Sequence, residues 1–220
     1  MKKEESKVIA QKLQKIPNGT LALKHCRAGG TGNTLFGEQF RAVTAGKGCV
    51  EAYETFPGIE VSFNVFLASE VKFRHDASDS VLEIYYCRSG RVGWNMQGGT
   101  AVYLGTGDVT AHSMACCADS AMMFPLGYSE EISISVDLKQ LSSICPEVLK
   151  NAGVEADQLR DRFCSGKPSA IPSCSDLEHI FAPLFSAPAS VRISLLKLKV
   201  LEILIYLSNM KVQFTRDYTG

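Results

Sequence analysis

The chain has 220 residues, 45% hydrophobic and 21% charged, a balance that excludes a disordered chain and suffices for one large domain with an appendage. Its 23 basic and 23 acidic residues cancel, so it lacks the basic surplus with which a segment binds nucleic acid phosphates by itself. The opening MKKEESKVIAQKLQKI has no apolar stretch of a secretory leader, and Lys197, Lys199 and Glu202 interrupt the apolar run Leu195 to Leu207, so the expectation is a cytoplasmic chain with no membrane partner.

In chain order, residues 4–16 carry Val8, Ile9, Leu13 and Ile16 at helical spacing, and Pro17-Asn18-Gly19 ends that helix. RAGGTGNT, residues 27–34, reads as a flexible loop: Gly29, Gly30 and Gly32 are followed by no Lys-Ser or Lys-Thr, so a phosphate loop does not fit. From 35 to 137, short β-branched and aromatic runs alternate with turn signals. After Pro57-Gly58, IEVSFNVFLA puts Val61, Phe63, Val65 and Leu67 on one face and Glu60, Ser62 and Asn64 on the other. VLEIYYCRSG, RVGWNM, a Gly98-Gly99 hairpin signal, TAVYLGTGDVTAHS and EISISVD follow, the last with Ile132, Ile134 and Val136 on one face. Many short strands at this spacing indicate a sandwich or barrel. After Asp137 three helices are expected, from LKQLSSICPEVLKNAG, DLEHIFAPLF and SVRISLLKLKVLEILIYLSNM. The last carries Leu195, Leu198, Leu201 and Ile205 at spacings of three, three and four, with Leu196, Ile203 and Leu207 widening the apolar surface, so it must bury more than one face.

LEIYYCRSGRV, YLGTGDV and MMFPLGYSEEISISVDL, in that order, resemble the sensor half of AraC-type transcription regulators, and FPGIEVSFNVFLA and SLLKLKVLEILIYLSNM extend the resemblance over roughly residues 35 to 210. The resemblance implies an α+β fold: a cupin-like double-stranded β-barrel, or jelly roll, followed by helices that include a long C-terminal dimerisation helix. It implies three segments: an N-terminal helix and loop (1–34), an effector-binding barrel (35–137) and a helical dimerisation region (138–220). It also implies a homodimer that responds to a small-molecule effector and meets DNA only through a C-terminal helix-turn-helix domain, which is not found before the chain stops at KVQFTRDYTG.

Glu83 and Gly90 are separated by six residues, the spacing of a metal-binding cupin motif. The histidine pair that should precede the glutamate is missing, and the later histidine position falls on Thr110, so no metal and no cofactor are expected. If Glu83 points into the barrel, a period of two turns Tyr85 and Cys87 inward as well, and puts Thr110 and His112 inward on another strand. Trp94, the single tryptophan, joins either that lining or ordinary packing. Glu83, Tyr85, Cys87, Trp94, Thr110 and His112 are therefore the candidate ligand-binding residues. The opposite register, with Leu82, Ile84 and Tyr86 inside and Glu83 in water, stands as the alternative. Leu198, Leu201 and Ile205 are the candidate dimerisation residues. The eight cysteines form no CxxC pair and read as reduced, mostly buried thiols, Cys116-Cys117 among them. No GxSxG elbow occurs and no catalytic residue is assigned. A binding module is the leading reading and the chain is not expected to be an enzyme. The rivals are a small cupin enzyme, an isomerase or dioxygenase with a degenerate metal site, and a purely structural dimerisation domain.

Overall fold

The computed structural model describes residues 2–26, 41–96, 101–165, 167–168 and 170–210, so the glycine-rich stretch 27–34, the Gly98-Gly99 signal and the tail after 210 lie outside the described residues. Helix α1 (Lys2–Lys12) is followed by the strands β1 (Thr20–Cys26), β2 (Arg41–Val43), β3 (Lys47–Phe56), β4 (Ile59–Leu67), β5 (Glu70–Arg74), β6 (Val81–Gly90), β7 (Val92–Asn95), β8 (Ala101–Leu104), β9 (Val109–Ser113), β10 (Ala121–Met123) and β11 (Ser129–Asp137). Then come α2 (Leu138–Ser143), α3 (Glu147–Asn151), α4 (Ala156–Phe163), β12 (Ala170–Ile171), α5 (Ser175–Phe185) and α6 (Arg192–Asn209). The fold is α+β, a cupin-like double-stranded barrel followed by helices, of which α6 is the longest.

The barrel walls are a seven-stranded sheet, ordered β1-β3-β4-β11-β6-β9-β12, and a five-stranded sheet, ordered β2-β5-β10-β7-β8. All pairs are antiparallel except β1 with β3. Pro57-Gly58 closes the β3–β4 hairpin, and Gly58 at φ +75° takes the left-handed position that such a turn places on its second central residue.

Both faces of the larger sheet are covered. One carries Val61, Leu82, Ile84, Tyr86, Ile132, Ile134 and Val136, which join Phe181 and Leu184 of α5 and Leu196, Val200, Ile203 and Leu207 of α6 in one apolar core. Tyr86 stacks on Phe181 with ring centroids 4.3 Å apart and planes 4° from parallel. The other face looks at the smaller sheet, which contributes Val71, Val92, Trp94, Val102, Leu104 and Met122 to a second core. α1 docks Ile9, and the turn after it Leu13, against Tyr128, Val65 and Leu67, and Glu5 of α1 accepts hydrogen bonds from the hydroxyls of Tyr128 (2.9 Å) and Ser89 (3.2 Å).

Several local expectations need correction. The N-terminal segment read as helix and loop contributes β1 to the large sheet, and the helical segment contributes β12, which pairs with β9. LKQLSSICPEVLKNAG is two helices, because Pro146 offers no N–H and forces the preceding residue out of helical geometry. α4 was not expected; its Leu159 and Phe163 join the core against the large sheet.

Candidate functional site in the barrel interior

Strand alternation builds the site. On β6, Glu83, Tyr85 and Cys87 face the smaller sheet while Leu82, Ile84 and Tyr86 face the helices, so the two registers weighed from sequence are two buried faces of one strand. Pairing extends the inward face sideways: Glu83 lies opposite His112 on β9 and Ser135 on β11, and Tyr85 lies opposite Thr110 and Ser133. Cys87 lies opposite Glu131, beside a bulge between Glu130 and Glu131. β4 completes the wall with Glu60, Ser62 and Asn64. From the facing sheet Trp94 approaches Tyr85 at 5.1 Å between ring centroids, and Tyr85 stacks on His112 at 5.8 Å with planes 6° apart. All six residues singled out on the strands therefore converge in the interior.

This wall is polar and sealed. Glu83, Thr110 and His112 have no exposed surface and Glu131 has 1%, whereas Tyr85 is partly accessible. Asn64 donates to the Ser133 hydroxyl at 3.0 Å, and the Ser129 hydroxyl donates to Oε1 of Glu131 at 2.6 Å. Both carboxyl oxygens of Glu83, both ring nitrogens of His112 and Oε2 of Glu131 have no hydrogen-bond partner. Ser135 lies near enough to Glu83 to favour its charged form slightly, but outside hydrogen-bonding geometry. Burial dominates the ionisation. It pushes Glu83 up to about 8, with Ser135 opposing and Glu60 reinforcing, and Glu131 up to about 8 against the Ser129 hydrogen bond. His112 is pushed down to about 4 by burial. Burial also raises Tyr85, helped by the charges of Glu83, Cys117 and Glu131, and raises Cys87. Near neutral pH the wall thus presents two largely protonated carboxyls, which can donate hydrogen bonds, and a neutral imidazole.

Sequence reasoning passed over Glu131, Ser133 and Ser135. Their signal was present: EISISVD alternates, and its polar positions share the parity that EVSFN gives Glu60, Ser62 and Asn64. The polar half of an alternating strand ordinarily meets solvent; here a second sheet covers it.

The β8–β9 turn locks the end of this wall. Asp108 accepts from the backbone of Gly105 (2.8 Å) and of Ser173 beside β12 (3.0 Å), and Gly107, at φ +88°, donates its N–H to the Cys87 carbonyl at 2.7 Å. All eight cysteines are free; Cys117 is buried and Cys116 half-buried, with both thiols raised by burial. Among the described residues no group of three or more His, Cys, Asp or Glu side chains is arranged to hold a metal ion. No described helix is long and apolar enough to cross a membrane.

On α6, Leu196, Ile203 and Leu207 are buried in their own domain, Leu201 and Ile205 are half-buried, and Leu198 is 64% exposed. Val148, 54% exposed, lies on α3, which packs beside α6. Arg162 of α4 donates to the carbonyls of Leu207 (2.9 Å), Ser208 (2.6 Å) and Met210, gripping the last turn of α6.

No protein-family model matches the sequence, and no curated protein does. Among solved structures the chain is similar to the AraC-like transcriptional activator CuxR, with 10% identity, a TM-score of 0.47 and coverage of 83% of this chain and 61% of that one. It is similar to a cupin protein from Bacteroides fragilis, with 20% identity, a TM-score of 0.28 and coverage of 36% of this chain and 66% of that one. It is also similar to ectoine synthase from P. lautus, with 14% identity, a TM-score of 0.29 and coverage of 36% of this chain and 54% of that one. The chain spans less than two thirds of each of these proteins.

Proposed function

We propose that this chain is the effector-sensing and dimerisation part of an AraC-type transcription regulator, which binds a small molecule inside the barrel and acts on DNA through a separate domain. The observation that carries the reading is the set of buried polar atoms without hydrogen-bond partners: both carboxyl oxygens of Glu83, both ring nitrogens of His112 and Oε2 of Glu131. Leaving such groups unpaired costs roughly 1–3 kcal/mol each, a penalty that a barrel serving only as a packed core has no reason to bear. A ligand supplies the missing partners. β6 offers a route outward, since Tyr85 faces the interior and its neighbour Tyr86 stacks on Phe181 of α5, which packs on α6. A shift of β6 on ligand binding would bias how α5 and α6 sit and so the geometry of two paired copies.

The second half of the reading is a homodimer through α6. Leu198 stands in solvent, with Leu201 and Ile205 beside it on the same stripe, and a two-fold contact between copies buries all three. The competing reading, a metal-dependent cupin enzyme, needs ligands that the interior does not group: His112 is its only buried imidazole among the described residues. On this reading the chain has no catalytic role and works in the cytoplasm. Native mass spectrometry of the purified chain, with elemental analysis, tests the reading. The expected result is a dimer that gains mass with members of a metabolite panel. A monomer that takes up none of them, or a stoichiometric transition metal, overturns it.

A further inference from the structure

The interior polar groups also say what kind of molecule they suit, granted the reading of the barrel as a ligand site. Glu83 and Glu131 stand on neighbouring strands on either side of Tyr85: Glu131 pairs with Cys87, four residues along β6 from Glu83. Their backbones are thus about 14 Å apart, four residues at ~3.3 Å each combined with one strand spacing of ~4.8 Å. Both side chains are sealed from solvent, with unpartnered oxygens, and both act electrostatically on the Tyr85 hydroxyl between them. Among the described residues no lysine or arginine is buried, so neither carboxyl has an internal cation. Glu130, the residue before Glu131 on β11, is by contrast paired with Lys12 and Arg88. Between the two inner carboxyls lie aromatic faces, Tyr85 with Trp94 at 5.1 Å. Tyr85 keeps more accessible surface than Glu83, Glu131 or Trp94.

We propose that the barrel takes a linear aliphatic diamine in its diammonium form, one ammonium on Glu83, the other on Glu131, and the methylene chain against Tyr85 and Trp94. Two carboxyls rising from the same face of neighbouring strands at that spacing suit a short diamine with a hydrogen bond of roughly 2.8 Å at each end better than a single ammonium. The paired acidic ends balance its two charges, and the rings favour cations and methylenes alike. A sugar can also lay its C–H face on the rings, but a neutral polyol would leave both carboxyls protonated and release no proton on binding. Binding moves protons in a defined way: each largely protonated carboxyl releases its proton to the buffer as a charged amine arrives. The groups facing Glu83 are Glu60, His112, Ser135, Tyr85 and Cys117; those facing Glu131 are Ser129, Tyr85 and Cys87.

Trp94 is the only tryptophan in the chain, so its fluorescence reports on the interior without interference. The probes are 1,4-diaminobutane, 1,5-diaminopentane, pentylamine, 1,5-pentanediol, glutarate and glucose, titrated against the whole chain and against Glu83→Gln and Glu131→Gln. Circular dichroism checks that each variant folds, and each variant carries the test alone if the other does not. The expected result is that a diamine changes Trp94 emission at least tenfold more tightly than the diol. Either variant should weaken the diamine at least tenfold, while pentylamine should respond to only one of them. Calorimetry in buffers of different ionisation enthalpy should show protons released on diamine binding, and fewer in each variant. If the diol, glutarate or glucose binds as tightly as the diamines, or the variants leave diamine affinity unchanged, the inference is overturned and the small-molecule reading survives. If no probe of any class binds at millimolar concentration, both fall.

Discussion

Glu83→Gln tests whether the sealed carboxyl does what its surroundings dictate. In the folded chain Glu83 holds its proton up to about pH 8, against an ordinary value of 4.5. Below pH 4.5 folded and unfolded chains both hold the proton and nothing is lost. Between the two values folding takes up a proton, so stability falls as pH rises; above about 8 both states are ionised and the penalty is constant. At ~1.4 kcal/mol per pH unit, this one carboxyl removes on the order of 3 kcal/mol of stability between pH 5 and pH 8. Urea unfolding followed by Trp94 emission from pH 5 to 8.5 measures it. Glutamine has similar shape and no titration, but leaves an amide in the same unpartnered place. The variant should therefore match or fall slightly below the wild type at pH 5 and exceed it at pH 8, so that the two curves cross. Parallel curves with a constant offset would show that Glu83 is not held protonated by burial, and would remove the physical basis for reading the wall as a set of unpaired groups.

Leu198→Glu, at the exposed centre of the α6 stripe, should leave the monomer folded and weaken the proposed dimer at least tenfold, or ~1.4 kcal/mol, by sedimentation velocity; an unchanged association would place the interface elsewhere, and a monomeric wild type would remove it. Arg162→Ala should remove three carbonyl contacts from the end of α6, a loss of roughly 1.5–3 kcal/mol for charge-assisted bonds, and accelerate amide exchange selectively over Ile205 to Met210. Asp108→Ala should strip the acceptor from the Gly105 and Ser173 amides and lower the chain's stability by about 1–3 kcal/mol in urea; a wild-type midpoint would mean that the turn holds without its clamp.

Much of the fold was legible because alternation and turn chemistry are local. EISISVD and the Pro57-Gly58 hairpin carry their strand assignments within a few residues, and α6 carries its own apolar surface. What was not legible depends on partners distant in the chain. β1 pairs in parallel with β3, and nothing in TLALKHC announces a parallel neighbour. β12 is two residues long and exists because β9 offers an edge. α4 holds only Ala156, Leu159 and Phe163 as its buried stripe, too little apolar surface to be marked as a helix before the core it meets is known.

The site was half legible for a related reason. Choosing between two registers of β6 assumed a sheet with one wet face, so burying Leu82 and Ile84 seemed to require exposing Glu83. The helices take the first pair and the smaller sheet takes the second set, and both faces are dry. That arrangement makes the strand's polarity informative. A strand buried on both faces ordinarily reads as a continuous apolar run. β11 and β6 alternate instead, with Glu131, Ser133, Ser135 and Glu83 on the side turned away from the helices. Packing alone does not call for those side chains, since the facing sheet supplies Val71, Val92, Leu104 and Met122 across the gap. An alternating strand with no wet face therefore points to polar business in the interior, and it places that business on the strands whose other face grips the helices.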